Sequence, residues 1–299
     1  MTTHTLKVDT EHSQERLDVY LARTLTEAPS RNFVKKLIDG KHVLVNKHSV
    51  KAHYKLHSDD EIEVDIPAEF FNGEGIEPEN IVLDIFYEDD HLAVINKPAG
   101  MLVHPAQGCY HGTLVNALLY HFKQLSDVNS NFRPGIVHRL DQETSGLMVV
   151  AKDNRTHYHL AKQFSSHRVH KRYMALVEGK IEFDEGVVDV PLGRHPYHRE
   201  KRDVQFTDSA KESLTIYRVL KRHDKVTCVA LFPKTGRTHQ LRVHMAHLGH
   251  PVLGDQKYGK RSNFSRLALH AQSIGFTHPQ TKIYIEFSSI PPEAFSLKE

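Results

Sequence analysis

Residues 135–152, GIVHRLDQETSGLMVVAK, gather side chains that can do chemistry. Asp141 follows an apolar-basic run close to Arg139 and precedes a turn into an apolar strand. A carboxylate at such a strand edge can serve as nucleophile, general base or metal ligand. It can equally be a plain turn residue, and spacing alone leaves these roles open. Other chemistries fail on pattern. His239, His244, His247 and His250 recur at intervals of five, three and three, so the last three would be successive neighbours on a helix. No HExxH accompanies them and no carboxylate stands at a ligand-like spacing, so no metal is expected. There is no GxxxxGK[ST] or GxGxxG loop to cradle a phosphate. His138-Arg139-Leu140-Asp141 lacks the contiguous HRD of a kinase loop, and Ser145 lies in no GxSxG elbow.

The elements that must position Asp141 are mostly strands. Leu147–Ala151 is an apolar strand, followed by a helix that Asn154 can cap and that runs to about Ser165. Tyr173–Val177 is a further strand. Ile81–Tyr87 and Leu92–Ile95 flank Glu88-Asp89-Asp90 as a hairpin, and Thr215–Leu220 with Val226–Phe232 form another. Leu114, Val115, Leu118, Leu119 and Phe122 recur at helical spacing within Thr113–Phe122. Thr238–Leu248 is expected to be helical, and Lys282–Phe287 alternates like a strand. Near the N-terminus, Ser30–Ile38 is a short amphipathic helix with Ser30 as N-cap and Gly40 as stop. Lys41–Val45 and Glu61–Ile66 are strands around a turn at Asn46-Lys47. Strands that follow one another directly predict an α+β fold with a mixed, largely antiparallel sheet. Residues 67–80 hold two Pro, two Gly and several acids without periodicity and read as a linker.

Composition bounds the answer. The chain has 299 residues, 39 Lys+Arg against 37 Asp+Glu, a net charge of +2 and 24 His. Apolar stretches such as GLMVVA fall far short of the ~20 residues a membrane span needs. The N-terminus has no apolar region of a signal peptide. Cys109 and Cys228 form no disulfide or metal spacing, which fits a reducing, cytoplasmic setting. The near-neutral total hides an uneven distribution. Arg31, Lys35, Lys36, Lys41, Lys47, Lys51 and Lys55 stand against Asp39 alone, a local charge of +6. Residues 167–172 and 194–202 each carry +3. A nucleic-acid binder needs a basic face rather than a basic total.

At this point the residues resemble a known family. His138-Arg139-Leu140-Asp141, Thr144-Ser145-Gly146 and Ala151-Lys152 reproduce the HRLDxxTSG motif of the RluA/RluD family of RNA pseudouridine synthases. Asn96-Lys97-Pro98-Ala99-Gly100 with Val103-His104-Pro105 matches its upstream block, and Lys171–Val177 its KxYxALV strand. TGRTHQLRVH (235–244), HPVLGD (250–255) with Tyr258-Gly259, and Leu269-His270-Ala271 with Phe276 and His278-Pro279 complete the series. The blocks cover residues 81 to about 290 in the family's order. Arg16-Leu17-Asp18, Ser30-Arg31, Lys36-Leu37-Ile38, Gly40–Val43 and Val45-Asn46 resemble a small S4 (α-L-type) RNA-binding domain. Lys47 and Asp59 stand there where glycine is usual in turns.

The resemblance implies a tail over 1–13, an S4 domain over 14–66, the linker over 67–80 and a catalytic domain over 81–299. It implies isomerisation of uridine to pseudouridine with no cofactor and no metal. Asp141 is then the catalytic carboxylate, paired with Arg237 in an ion pair. Tyr173 stacks on the uracil and can take part in removing the C5 proton. Leu241 forms an apolar wall, Arg139 fills the place of the flipped base, and His138 and Thr144 contact substrate. Arg31, Lys35 and Lys36 belong to the basic RNA-binding face. The partner is structured RNA, with 23S ribosomal RNA or its precursor and the helix 69 site favoured, bound by a monomer. The alternatives are another rRNA or tRNA site, or a non-catalytic S4-domain RNA-binding protein. His104, His138, His239, His244, His250, His270 and His278 fall where the matched blocks use His. Several others, His42, His167, His170, His195 and His198, lie in basic clusters. With an ordinary imidazole pKa near ~6.5, RNA affinity is expected to rise as pH falls from about 7.5 to 6. Filter binding at fixed salt checks this, and a flat pH profile would remove the idea.

Overall fold

The computed structural model describes residues 2–25, 31–67, 76–105, 109–128, 133–198, 200–259 and 264–296. They fall into two compact units, the first built on the chain up to Glu77. Residues 68–75 of the expected linker lie outside the described residues, as does Ser30.

The first unit holds a four-stranded antiparallel sheet in the order β1 (Thr2–Lys7), β4 (Glu61–Ile66), β2 (Val43–Val45), β3 (His48–Ser49). The segment read as a tail is therefore partly a strand. Thr2 pairs with Ile66 and Lys7 with Glu61, so its backbone closes the edge of β4. Its apolar signal is faint because an edge strand buries little: His4 and Leu6 are half-buried between exposed neighbours. Helices α1 (Leu17–Thr24) and α2 (Arg31–Asp39) bury Leu17, Leu21, Val34 and Leu37 against Val43, Ile62 and Val64. The turn at Asn46-Lys47 joins β2 to β3 rather than β2 to β4. Both residues have positive φ, 51° and 64°, as a two-residue I′ turn requires. Asn46 holds that geometry without glycine: its Nδ2 donates to Asp60 Oδ1 (2.8 Å) and its Oδ1 accepts from Glu61 N–H (2.9 Å). Asp59 also takes positive φ, 70°, and its N–H bonds Val8 O at 2.9 Å.

The second unit is organised by a mixed sheet in the order β5 (Ile85–Glu88), β6 (Leu92–Lys97), β7 (Ser145–Ala151), β14 (Leu269–Thr277), β8 (His170–Glu178), β13 (Val226–Pro233), β12 (Leu214–Arg222), β9 (Glu185–Asp189). β15 (Tyr284–Ser288) pairs with β14. A separate hairpin joins β10 (Leu192–Arg194) to β11 (Arg202–Val204). Every pairing in the large sheet is antiparallel except β7 with β14. The expected hairpins form, although β5 starts at Ile85 rather than Ile81. Three helices accompany this sheet: α3 (Leu114–His121), α4 (Asn154–Ser165) and α5 (Gln240–His247). Thr113 caps α3 in a reciprocal box with Asn116. Asp153, not Asn154, caps α4 by accepting from Thr156 N–H (2.8 Å). Among the described residues no helix is long and apolar enough to cross a membrane.

The strand β7 is buried along its whole length, and at one residue it meets a strict limit. Gly146 has φ 119°, and a Cβ there would stand 2.2 Å from Ala271 O. Only glycine lets β7 approach β14 so closely. Gly146→Ala must therefore open the seam, at a cost of about 4 kcal/mol or more. Urea unfolding checks this: loss of under ~1 kcal/mol would show that the two strands can part without damage.

Candidate active site

A cleft of about 620 Å³ opens in the second unit. The loop before β7, the end of α4, β8 and the entry to α5 wall it. Asp141 is brought to it by a tight turn in which Thr144 N–H bonds Asp141 O at 3.1 Å. Tyr173 and Lys171, two apart on β8, reach the same cleft because side chains alternate along a strand. Leu241 and Arg139 also line it, Leu241 buried and Arg139 exposed. Asp141, Tyr173 and Leu241, separate in sequence, thus share one cavity.

The expected Asp141–Arg237 pair is corrected. Arg237 lines the cleft but is exposed, and its Nε donates to Glu212 O at 3.0 Å. The cation facing Asp141 is Arg242, whose Nη1 stands 3.9 Å from Asp141 Oδ2. The reason is helix phase. Arg237 precedes α5, whereas Arg242 lies inside it and is turned inward. Asp255 holds Arg242 in a two-pronged contact, Nε to Oδ2 and Nη2 to Oδ1, both 2.7 Å. Asp255 in turn accepts from the N–H groups of Lys257 (2.9 Å) and Tyr258 (3.1 Å). The Tyr258 ring lies 5.3 Å from the guanidinium. Burial works against the charge on Arg242, but the Asp255 bonds and then the Asp141 charge outweigh it and raise its pKa. Burial likewise opposes the Asp255 charge, and Arg242 more than offsets it, leaving the carboxyl below its usual range. Arg242 was open to discovery in the sequence, since it stands in the same TGRTHQLRVH block as Arg237. The missing information was its partner, Asp255, in the next block.

Other groups tune the cavity. Lys97 is fully buried at the end of β6. Its ammonium donates to Pro98 O (2.8 Å), Met101 O (2.8 Å) and Gln142 O (3.1 Å), pinning the loop beside Asp141. Burial brings its pKa down to about 8, against the opposing pull of Asp141 and Glu143. Burial first, and the Asp141 charge second, push the Tyr173 phenol up, so it stays protonated. Burial, with Lys234 nearby, depresses Lys171, whose ammonium meets no carboxylate among the described residues.

Two expected substrate contacts need restating. His138 lines the cleft, but its Nε2 accepts from Val149 N–H (3.0 Å) and its ring stacks on Phe164 at 4.4 Å. Burial, then Lys171, brings it down to about 3, so it is a neutral brace. Thr144 is buried, and its hydroxyl has no partner among the described residues. Arg31 lies in the first unit with Lys35 and Lys36, all three exposed. There Arg31 Nη2 already donates to Asp18 Oδ2 at 2.6 Å. Asp18 is also held by Arg16, so Lys35 and Lys36 are the freer cations. His244 fills its ring nitrogens with Ser213 Oγ (2.7 Å) and Thr215 Oγ1 (2.9 Å), and His250 Nδ1 bonds Glu178 O (2.8 Å).

Removing Arg242 would leave Asp255 buried and unpaired, a loss of about 3–5 kcal/mol. Arg242→Leu should therefore destabilise strongly, while Arg237→Ala should stay within ~0.5 kcal/mol. Thermal and urea unfolding of the two variants checks the contrast, and equal effects would refute the assignment of the buried cation.

Comparison with known proteins identifies the family. Residues 91–247 match the RNA pseudouridylate synthase family and residues 15–62 the S4 domain. An uncharacterised RNA pseudouridine synthase of Bacillus subtilis is 43% identical over 95% of this chain and 92% of its own. Ribosomal large subunit pseudouridine synthase D of Zymomonas mobilis is 41% identical over 94% and 92%, and that of Nitrosomonas europaea 42% over 94% and 83%. The structure of human RNA Pseudouridylate Synthase Domain Containing 1 overlays with a TM-score of 0.59 at 30% identity, covering 71% of this chain and 84% of that one. The fold is α+β, an S4 domain with a pseudouridine synthase domain, and the chain belongs to the RNA pseudouridylate synthase family of enzymes.

Proposed function

We propose that this enzyme isomerises uridines of large-subunit ribosomal RNA, using Asp141 as the catalytic carboxylate with Arg242 as its charge partner. The observation that carries the assignment of residues is the meeting of Asp141, Arg242 and Tyr173 in one cleft. Isomerisation breaks the N1–C1′ bond, turns the uracil and joins C5 to C1′. No atom is gained or lost. Asp141 stands at the cleft wall to attack C1′ or to take a ribose proton. Arg242 cannot follow it, because Asp255 grips the guanidinium from behind. It therefore offers fixed positive charge at no reorganisation cost. Tyr173 supplies a flat ring for the uracil and a neutral hydroxyl at the C5 side. To reach this cleft the base must leave its stack, at a cost of a few kcal/mol. Arg139, exposed at the cleft, is placed to fill the gap.

Relatives named ribosomal large subunit pseudouridine synthase D support the choice of RNA, and helix 69 of 23S rRNA is the site we favour. A first domain that takes in β1 as well as residues 14–66, a second over 81–299, and a monomer acting in the cytoplasm complete the reading. The rival reading, a non-catalytic RNA-binding protein, has no observation in its favour while the carboxylate, ring and guanidinium remain together.

Pseudouridine mapping of ribosomal RNA from a strain lacking the protein tests the reading. Specific large-subunit sites should lose the modification. Asp141→Asn should fail to restore them while RNA affinity stays nearly unchanged, and Arg237→Ala should restore them. An unchanged large-subunit map, or restoration by Asp141→Asn, would sink the proposal.

A further inference from the structure

His239 enters α5 with φ 56° and ψ 16°, the left-handed region that residues with a Cβ seldom occupy. A strained backbone of this kind persists when its surroundings hold it. Here the side chain caps nothing in the helix. Its Nδ1 lies 2.8 Å from the hydroxyl of Tyr258. That hydroxyl already accepts from the backbone N–H of Arg202, in β11, at 2.7 Å. A phenol has one proton to give. Arg202 takes one lone pair of the oxygen, and the phenol's own proton can be given to His239 Nδ1. Nδ1 is then an acceptor, and the ring's own proton resides on Nε2. Tyr258 is itself anchored, through its N–H to Asp255 and its ring against Arg242. His239 and Arg242 are thus set in one frame, three residues apart at the start of α5.

The imidazole lines the cleft and is half-buried. Its Nε2 has no partner among the described residues. Burial is the main influence on its charge and brings it to a pKa of about 4, although Asp141 pulls the other way. In that tautomer a neutral ring turns one unpartnered N–H to the cleft that Asp141 and Tyr173 also line.

We propose that His239 touches the substrate, its Nε2–H donating a hydrogen bond to a carbonyl oxygen of the flipped uracil while Tyr258 fixes the tautomer. This rests on the reading of the cleft as a uridine site. When the N1–C1′ bond opens, its electron pair stays with the base and spreads onto O2 and O4. A donor aimed at either oxygen strengthens as that charge grows. Because the ring is neutral, it does this without pairing with the Asp141 carboxylate.

The test uses the full-length enzyme in single turnover on an RNA that the wild type modifies. His239→Phe should slow isomerisation by about 100-fold with little change in RNA Kd. His239→Gln, which keeps an amide N–H, should recover most of that loss. The Phe penalty should shrink when the target is 4-thiouridine or 2-thiouridine, since sulfur is the weaker acceptor; which one responds identifies the oxygen. Nitrogen NMR of the wild-type histidines should show His239 protonated at Nε2, and Tyr258→Phe should release that tautomer. A Phe variant within about twofold of wild type, a Gln variant as slow as Phe, or a penalty unchanged in both thio-substrates overturns the proposal. So does an Nδ1–H tautomer in the wild type, a result that needs no activity and decides the matter if the Phe variant does not fold. Failure of the wild type to modify any uridine would instead strike the underlying functional reading.

Discussion

The geometry of the site hangs on the approach of two strands at Gly146. Ala271 of β14 is paired with Gly146 of β7 on one side and with Tyr173 of β8 on the other. Neighbouring strands are held about 4.8 Å apart by their backbone bonds. The loop that carries Asp141 leaves the sheet at Ser145, next to Gly146. The separation of carboxylate and ring is therefore set by backbone pairing rather than by flexible side chains. Polar contacts reinforce the seam. Arg266 donates to Ser145 Oγ (2.7 Å), Ser145 meets His270 Nδ1 (2.8 Å), and His270 Nε2 meets Ser289 Oγ (2.9 Å). Burial keeps His270 neutral, with a pKa brought to about 4, so it relays hydrogen bonds without carrying charge.

Around that frame the charges are few, buried and pinned. A buried ion is tolerated only when its donors or acceptors are satisfied. Arg242 meets this through Asp255, and Lys97 through three backbone carbonyls. Both are thereby immobilised, Lys97 on the carbonyl of Gln142 next to Asp141 and Arg242 facing its carboxylate. Lys97 orders the loop that follows β6 and the residue after Asp141. Arg242 supplies the facing charge. Since neither can relax, a change in substrate charge is met by preset dipoles.

Much of this is legible in the sequence alone. The apolar run of β7, the helical spacing of α3 and the hairpin of β12 and β13 follow from periodicity, which is local. The carboxylate, the stacking ring and Leu241 follow from motifs whose order along the chain matches the family. The misreadings share one cause. Arg237 and Arg242 stand in the same block, and only the phase of α5 and the position of Asp255 tell them apart. His138 stands in a matched motif and lines the cleft, but the bond to Val149 and the stacking on Phe164 are invisible in the motif. The first strand reads as a tail because an edge strand pairs through its backbone and has little apolar pattern to betray it. Asn46 and Lys47 reach positive φ without glycine because Asp60 and Glu61, distant in sequence, bond the Asn46 side chain.

By itself the amino-acid sequence determined the family and its class of chemistry, the candidate carboxylate Asp141 and the existence of most elements, because motif order and short-range spacing encode these. Only the tertiary structure decided which arginine faces Asp141, why residue 146 must be glycine, and which hydroxyl meets Nδ1 of His239. Each of those depends on a partner far along the chain: Asp255 for Arg242, Ala271 for Gly146, Tyr258 and Arg202 for His239. A contact between distant residues is written in the folded path, and no local pattern states it.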